Sequence, residues 1–435
     1  MKKLIQTTLF CALMFFGLIA VAQPTPAPAQ SESILIVAAT AHLGTGEKIE
    51  NAAIGFVNGK INFVGRAEKV DRKSYQQVIE AKGQHVYPGF IATNSTLGLQ
   101  EIGSVRATRD QYEVGTFRPN VRAVIAFNTD SEITPTVRTN GVLMGQITPR
   151  GGTVSGTSAV VHFDAWNWED AAIEMEDGIH VNWPSMYHRH REGGKVDIQK
   201  VKTYDQSRHE IERFFGEAKA FCQGGSKQVD LRFAAMCEVF NGDKRLYVHA
   251  DGIKEIKEAV AFKNEMGINH LVIVGGYDSY LCADMLREQN VPVILRRVHS
   301  MPWHSADDID LPYKLPKLLE DEGVLFCLQN AGGMEQMGTR NLPFYAGTAV
   351  AYGLTYEQGV AAISLNAAKI LGVDKQCGSL EKGKDATLFI SEGDALDMMT
   401  NSVSFAFIQG RQIDLDNRQK QLYRKYMGKY EAAGK

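Results

Sequence analysis

Short apolar runs alternate with helical segments through the middle of the chain, and this alternation constrains the fold more than any other feature. The apolar runs are Gly141–Gln146, Ser158–His162, Arg245–Ala250, His270–Val274, Val291–Leu295 and Val324–Leu328. The segments with helical patterning are Tyr204–Phe221, Lys254–Met266, Asp278–Glu288 and Lys314–Glu322. Strands of about five residues separated by helices of about a dozen indicate βα units around a parallel sheet. An α/β fold with a (β/α)8 TIM-like barrel over residues 87–377 is predicted, with its chemistry at the C-terminal ends of the strands.

Both ends of the chain contain a different pattern of short β-prone runs with glycine turns. The runs are Ile34–Val37, Ala53–Val57, Ile61–Val64, Gly378–Ser391 and Ser404–Gln412. Asn58-Gly59 between two of them is a strong hairpin signal, because both turn positions need a positive φ. Residues 34–86 and 378–413 are therefore predicted to form a small composite β-sandwich. Residues 414–435 are predicted to be a C-terminal helix and tail.

The first 22 residues have the pattern of a signal peptide. Lys2 and Lys3 precede the apolar run Leu9–Val21, and Ala20-Val21-Ala22 is a small-x-small cleavage site. The apolar run is shorter than the roughly 20 residues that span a bilayer. The sequence therefore predicts export to the periplasm or the extracellular space, with no membrane span after cleavage. Residues 23–33 are predicted to be a Pro/Ala/Ser linker.

Charge and cysteine usage exclude several classes of protein. The formal net charge is −3, so no basic face for nucleic acid is indicated. The six cysteines include no CxxC pair, which argues against zinc-knuckle and redox motifs. Buried free thiols are the default expectation, and a Cys222–Cys237 disulfide is the alternative in an exported protein.

Three segments distributed over the chain contain motifs of a known family. They are Asn58–Ile61 leading to Tyr87–Ile91, then Asn341–Val373, and finally Gly378–Ile390. In this order they resemble the amidohydrolase superfamily, particularly its imidazolonepropionase-like branch. The resemblance implies a metal-dependent barrel with a composite β-sandwich and hydrolysis of carbon–nitrogen bonds. It also implies one or two divalent metals, usually zinc, that activate a water molecule at the barrel mouth.

The ligands that the resemblance would supply are mostly replaced. Asn94 and Thr96 occupy the positions of the family's His-x-His pair, and neither an amide oxygen nor a hydroxyl is a good zinc ligand. His249 matches the ligand that follows the fifth strand. Gly275-Gly276 follows the next strand in place of a second histidine, and Asn330 lies in the segment where the catalytic aspartate is expected. A degenerate metal site with His249 as its single matching ligand is predicted.

Other polar residues are expected near the barrel mouth. Asp278, His299 and His304 follow predicted strands, and with Asn94, Thr96 and Asn330 they complete the set of pocket candidates. With His249 they are candidate ligands of a relocated metal, or else polar loop residues that bind a ligand by hydrogen bonds, and we favour the second interpretation. The glycine-rich turn 149–156 is expected to line the pocket, as in the family.

Two functions from different classes stay open. The first is an exported hydrolase of an amide, cyclic amide or small peptide derivative, with one divalent metal, zinc first, or with none; no catalytic residue is assigned. The second is a non-catalytic amidohydrolase-like binding protein, or the partner of an active homologue. Either takes a small molecule or short peptide as its ligand, and a homo-oligomer is compatible with both.

Overall fold

A computed structural model describes residues 25–192, 195–224 and 229–432 of the chain. The predicted signal peptide lies outside the described residues. The strands are β1 (Ile34–His42), β2 (Lys48–Val57), β3 (Lys60–Arg66), β4 (Gln77–Glu80), β5 (His85–Pro88), β6 (Phe90–Ser95), β7 (Val142–Ile147), β8 (Val154–His162), β9 (Ala172–Asn182), β10 (Tyr187–Glu192), β11 (Lys195–Lys200), β12 (Arg245–Ala250), β13 (Leu271–Gly275), β14 (Val293–Leu295), β15 (Phe326–Leu328), β16 (Leu388–Ser391), β17 (Val403–Ile408) and β18 (Arg411–Gln412).

Helices are concentrated in the second half of the chain. They are α1 (Thr134–Arg138), α2 (Trp168–Ala171), α3 (Tyr204–Cys222), α4 (Leu231–Asn241), α5 (Ile253–Met266), α6 (Ala283–Glu288), α7 (Leu311–Asp321), α8 (Glu335–Gly338), α9 (Leu342–Ala351), α10 (Tyr356–Ala362), α11 (Leu365–Leu371) and α12 (Arg418–Ala432). Short 3-10 helices span Ala67–Lys69, Arg72–Ser74, Arg106–Thr108, Ala123–Ala126, Tyr277–Cys282 and Thr339–Asn341. The last helix, α12, confirms the helix predicted near the C-terminus. Within the described residues, no helix combines the length and apolar character needed to cross a lipid bilayer.

The two ends of the chain meet in one sheet of eight strands. Its order is β18-β17-β16-β5-β1-β2-β3, and β4 pairs with β1. The predicted hairpin is confirmed, since Asn58 and Gly59 join β2 to β3 with φ of 50° and 77°. The sheet encloses its own apolar cluster, which includes Phe56, Leu388 and Phe407. The second layer of the predicted sandwich and the boundaries of this domain stay predictions.

A second eight-stranded sheet is nearly closed into a barrel. Its order is β15-β14-β13-β12-β9-β8-β7-β6, and a parallel bridge between Thr93 and Gln329 connects the two end strands. Strands β12 to β15 pair in parallel and alternate with α5, α6 and α7, as predicted for βα units. The largest apolar cluster joins the barrel strands to these helices.

One part of the barrel differs from the predicted (β/α)8 pattern. Strand β8 runs antiparallel to both β7 and β9, with no crossover helix on either side except the four-residue α2. A short connection can only reverse the chain, because a parallel crossover needs a dozen or more residues. The sequence from 142 to 182 therefore forms a meander inside an otherwise βα-type barrel.

The cysteines differ from the default expectation of free thiols. Cys222 and Cys237 form a disulfide between the end of α3 and the middle of α4. The other described cysteines, Cys282, Cys327 and Cys377, are free and buried. The pairing depends on two helices that pack antiparallel across a short connection, which the spacing alone could not establish.

Candidate functional site

A cavity opens at the mouth of the barrel, beyond the C-terminal ends of β12 to β15. Its volume is about 450 Å³. Its lining comprises Asn94, Trp183, Pro184, Ser185, His249, Ala250, Asp251, Gly252, Glu255, Val274, Gly275, Arg296, Arg297, Ser300, Trp303, Gln329, Ala331, Gly332 and Gly333. This is the end of a barrel at which loops from several strands converge, and it is where barrel proteins bind their ligands.

His249 lies at the C-terminal end of strand β12 and lines this cavity. It is the first residue of a buried series of hydrogen bonds. Its Nε2 lies 2.9 Å from Nδ1 of His180, and Nε2 of His180 lies 2.9 Å from Oγ of Ser158. Ser158 donates to Oδ1 of Asp177 at 2.6 Å. Burial, with a smaller contribution from the nearby positive charge of Arg150, lowers the pKa of His249 to about 3. Burial also lowers the pKa of His180 well below its ordinary value, so both imidazoles are neutral at physiological pH.

Asp177 is the last residue of this hydrogen-bonded series and is buried inside the barrel. Gln146 and Tyr247 donate to its Oδ2 at 2.8 and 2.7 Å. Burial raises the pKa of Asp177, and the hydrogen bonds from Ser158, Tyr247 and Gln146 oppose that rise. This network occupies one ring nitrogen of His249 with a protein partner and fixes the orientation of its ring.

Asn94 is the penultimate residue of β6 and lines the cavity, and both polar atoms of its side chain form hydrogen bonds with the protein. Its φ is 49°, a left-handed conformation that asparagine tolerates better than most residues. Its Nδ2 donates to Oε1 of Gln329 at 2.5 Å, and its Oδ1 accepts from Nη1 of Arg150 at 2.7 Å. Arg150, in the glycine-rich turn before β8, also donates to the Asn94 carbonyl at 2.7 Å.

Thr96 is buried just beyond and is also bound by the protein. Its backbone N and its Oγ1 donate to Oε1 of Glu335 at 2.7 and 2.9 Å. The same carboxylate oxygen accepts from Nη2 of Arg150 at 3.0 Å. Asn94, Thr96, Arg150 and Glu335 therefore form one connected cluster where the family resemblance would place its first two metal ligands.

These residues do not fit a divalent metal. The side-chain oxygens of Asn94 and Thr96 are held by hydrogen bonds, and the guanidinium of Arg150, which repels cations, lies directly against Asn94. The ligand atoms that zinc prefers are imidazole, thiolate and carboxylate. Across the described ranges, no group of three or more His, Cys, Asp or Glu residues could hold a metal ion.

The remaining predicted residues are distributed over neighbouring loops. Nε2 of His304 lies 3.0 Å from Oδ1 of Asp278, whose Oδ2 accepts from the backbone N of Ile253 at 3.1 Å. His299 lies apart from them, with its Nε2 2.7 Å from Oγ1 of Thr348. The structure thus brings His304 and Asp278 together and leaves all three residues outside the cavity lining.

Asn330 also lies outside the lining, although it belongs to the loop that borders the cavity. Its Nδ2 donates to the backbone carbonyl of Glu335 at 2.7 Å, and its Oδ1 accepts from Tyr345 at 2.5 Å. Its observed role is to hold this loop in shape. Of the seven predicted residues, His249 and Asn94 are the two that line the cavity.

Several cavity residues escaped sequence reasoning. Asp251 and Glu255 follow His249 closely, and Arg296-Arg297 directly follows β14, so their position after strands was a usable signal. His180 gave no such signal, because β9 was not predicted. Arg150 lies in the glycine-rich turn. Its partners Asn94 and Glu335 come from distant segments, so the sequence does not indicate its contacts.

Comparison with known proteins agrees with this architecture. A family model described as the amidohydrolase family matches residues 313–413. A solved amidohydrolase from Thermotoga maritima MSB8 is 23% identical, and the alignment covers 88% of this chain and 99% of that chain with a TM-score of 0.74. A search of curated proteins found no match.

More distant solved structures share the fold. A prolidase complexed with N-methylphosphonate-L-proline is 13% identical, covering 88% of this chain and 99% of that chain with a TM-score of 0.54. Molinate hydrolase is 14% identical, covering 89% and 95%, with a TM-score of 0.53. At these identities the likeness shows a shared fold alone, and activity does not follow from it.

Proposed function

We propose that this protein binds a small amide-like or peptide-like molecule at its barrel mouth and does not use the family's metal-dependent hydrolytic mechanism. The observation that carries the proposal is the Arg150–Glu335 pair, which engages Asn94 and Thr96 at the positions expected for the first two metal ligands. The guanidinium of Arg150, a cation supplied by the chain itself, contacts the first of these two positions. The degenerate metal site is part of this proposal.

The cavity has the size and composition of a small-ligand site. Its volume of about 450 Å³ suits a molecule as large as a dipeptide or a small cyclic amide. Two indole rings, of Trp183 and Trp303, line it together with several polar and charged side chains. Aromatic surface beside polar groups allows a site to bind and orient a small polar molecule.

Hydrolysis of a carbon–nitrogen bond is the second candidate function. The family-model match over residues 313–413 and the shared fold with an amidohydrolase and a prolidase favour it. In this case His249 is the residue that would hold one divalent metal, zinc first. Such an ion would supply an activated water.

We also propose export, with residues 1–22 as signal peptide and 23–33 as linker, and assembly as a homo-oligomer or with an active homologue. The Cys222–Cys237 disulfide supports an oxidising compartment. Residues 87–377 are proposed as the barrel domain, with 34–86 and 378–413 as the second domain.

Metal content and ligand binding together test the function. Protein purified without chelator or affinity histidines is analysed for zinc, manganese and iron, and titrated with small amides and dipeptides while tryptophan fluorescence is recorded. Binding that persists at well below one equivalent of metal supports the proposal. Near-stoichiometric metal that is lost in His249→Ala, together with amide hydrolysis, would contradict it in favour of the second candidate. His209→Ala, which removes an exposed histidine outside the cavity lining, is the matched control.

A further inference from the structure

The cavity contains two oppositely charged side chains that make no ion pair with the side chains of residues 25–187, 198–224 and 229–431, which are those that the structure describes. They are the guanidinium of Arg297 and the carboxylate of Glu255. We propose that the mouth of the barrel selects a zwitterionic ligand, an α-amino acid or a short peptide with free ends. In this arrangement Arg297 binds the ligand's carboxylate and Glu255 binds its ammonium group. The inference rests on the proposed function and specifies the ligand class of the same site.

Arg297 is placed by β14 and by the glycine loop that follows β15. Its Nη1 donates to the carbonyl of Gly333 at 3.0 Å, and it also bonds the Tyr345 phenol. A guanidinium has five N–H donors in a planar fork that matches a carboxylate. Neither of the two observed partners is an anion, so the charge of Arg297 is uncompensated and its remaining donors suit a ligand carboxylate.

Two glycines of the loop after β15, Gly332 and Gly333, line the cavity together with Arg297. Gly332 has a φ of 123°, a conformation that other residues rarely adopt, and a Cβ there would be in ordinary van der Waals contact with Nη2 of Arg297 at 3.7 Å. A Cβ at Gly333 would meet nothing within 4 Å. The loop therefore runs close to the guanidinium and adds no side chain of its own beside it.

Glu255 stands in the first turn of α5, directly after β12. Its Oε1 accepts from the backbone N of Met186 at 2.9 Å, and its side chain is buried at the cavity wall. A buried carboxylate is expensive unless it is paired. A ligand ammonium group in the cavity would supply the counter-charge that the described residues do not.

The other charged pair of the cavity neutralises itself. Nη1 of Arg296 donates to Oδ2 of Asp251 at 2.8 Å, and the guanidinium lies 5.7 Å from the centre of the Trp303 ring. Among the cavity-lining residues, Arg297 and Glu255 therefore remain without an ion-pair partner in the described side chains, and they follow β14 and β12, which flank β13 in the barrel. A simple anion would satisfy only Arg297 and a simple cation only Glu255, whereas a zwitterion satisfies both.

A set of four dipeptides dissects the two charges. The probes are L-alanyl-L-alanine, its C-terminal amide, its N-acetyl derivative and the N-acetyl methylamide, each titrated by calorimetry and tryptophan fluorescence. The wild-type protein should bind L-alanyl-L-alanine at least about tenfold more tightly than either singly blocked probe, because each block removes a charge-assisted contact. Arg297→Gln should lose the preference for the free carboxylate alone, and Glu255→Gln the preference for the free amine alone. Arg287→Gln and Glu265→Gln, at exposed positions, should retain both.

Each contrary outcome has a distinct meaning. If the wild-type protein binds the doubly blocked probe as tightly as the free dipeptide, the zwitterion inference is overturned while small-ligand binding stands. Retention of both preferences in Arg297→Gln and Glu255→Gln also overturns it, because the charges would then be recognised elsewhere. If none of the four probes binds, both the inference and dipeptide binding at this site are overturned. The comparison of probes on the wild-type protein applies even where a variant fails to fold.

Discussion

The Arg150–Glu335 pair provides the sharpest test of how the barrel mouth is held together. Its side chains are 19% and 9% exposed, and the carboxylate also accepts two hydrogen bonds from Thr96. Removing one partner of a buried pair costs about 3–5 kcal/mol, because the other charge stays buried alone. Since Arg150 is partly exposed, we expect Glu335→Gln to lower the free energy of unfolding by about 3 kcal/mol and Arg150→Met by about 2 kcal/mol.

The double variant distinguishes this pair from two independent contacts. Arg150→Met with Glu335→Gln should lower the free energy of unfolding by only about 3 kcal/mol, a coupling of about 2 kcal/mol, since neither charge is then left alone. Urea unfolding followed by circular dichroism measures all four proteins. The matched control is Arg208→Met with Glu212→Gln, a helical pair whose side chains are more exposed, at 29% and 26%, and for which a coupling of about 0.5 kcal/mol or less is expected. A coupling between Arg150 and Glu335 as small as that of the control would refute the argument that the pair organises the site.

Three further predictions concern stability. Replacing Cys222 and Cys237 by alanine should lower the free energy of unfolding by about 3 kcal/mol, because the disulfide joins two residues that are 15 positions apart. Denaturation with and without reductant measures this loss, and an unchanged unfolding midpoint would contradict the prediction. Burial lowers the pKa of His162 to about 4, so its neutral form is preferred in the fold and stability falls as the pH drops from about 6.5 towards 4. Between pH 7 and pH 5 the titration of His162 lowers the free energy of unfolding by about 2 kcal/mol. In paired urea titrations, His162→Asn should therefore lose about 2 kcal/mol less stability on acidification than the wild type. Equal losses in the two proteins would contradict the prediction. Gly141→Ala should lower the free energy of unfolding by about 1–3 kcal/mol, since Gly141 has a φ of 82° and a Cβ there would lie 2.4 Å from the Phe389 ring. Thermal unfolding measures this loss, and an unchanged midpoint would show that the ring moves aside.

Local patterns predicted the parts of the fold that depend on neighbouring residues. The spacing of apolar residues predicted strands β12 to β15 and the helices between them. Buried strands and the buried faces of helices each produce a characteristic spacing of apolar residues along the sequence. Asn58-Gly59 predicted its hairpin for a similar reason, since the two residues alone meet the need for positive φ. The position of His249 at the end of a barrel strand also sufficed to place it at the cavity.

The parts that were not predicted depend on contacts between distant segments. The antiparallel course of β8 follows from short connections whose direction is decided by the completed sheet. Pairing of Cys222 with Cys237 needed the relative position of two helices.

The chemistry of the site was decided in the same way. Arg150 and Glu335 are 185 residues apart, and no spacing in the sequence indicates that they meet. By itself the sequence determined that an asparagine and a threonine follow the Pro-Gly-Phe-Ile stretch at positions 94 and 96, because residue identity is local information. Only the tertiary structure decided which groups contact them, because a guanidinium, a carboxylate and an amide become partners only when the barrel brings their strands together.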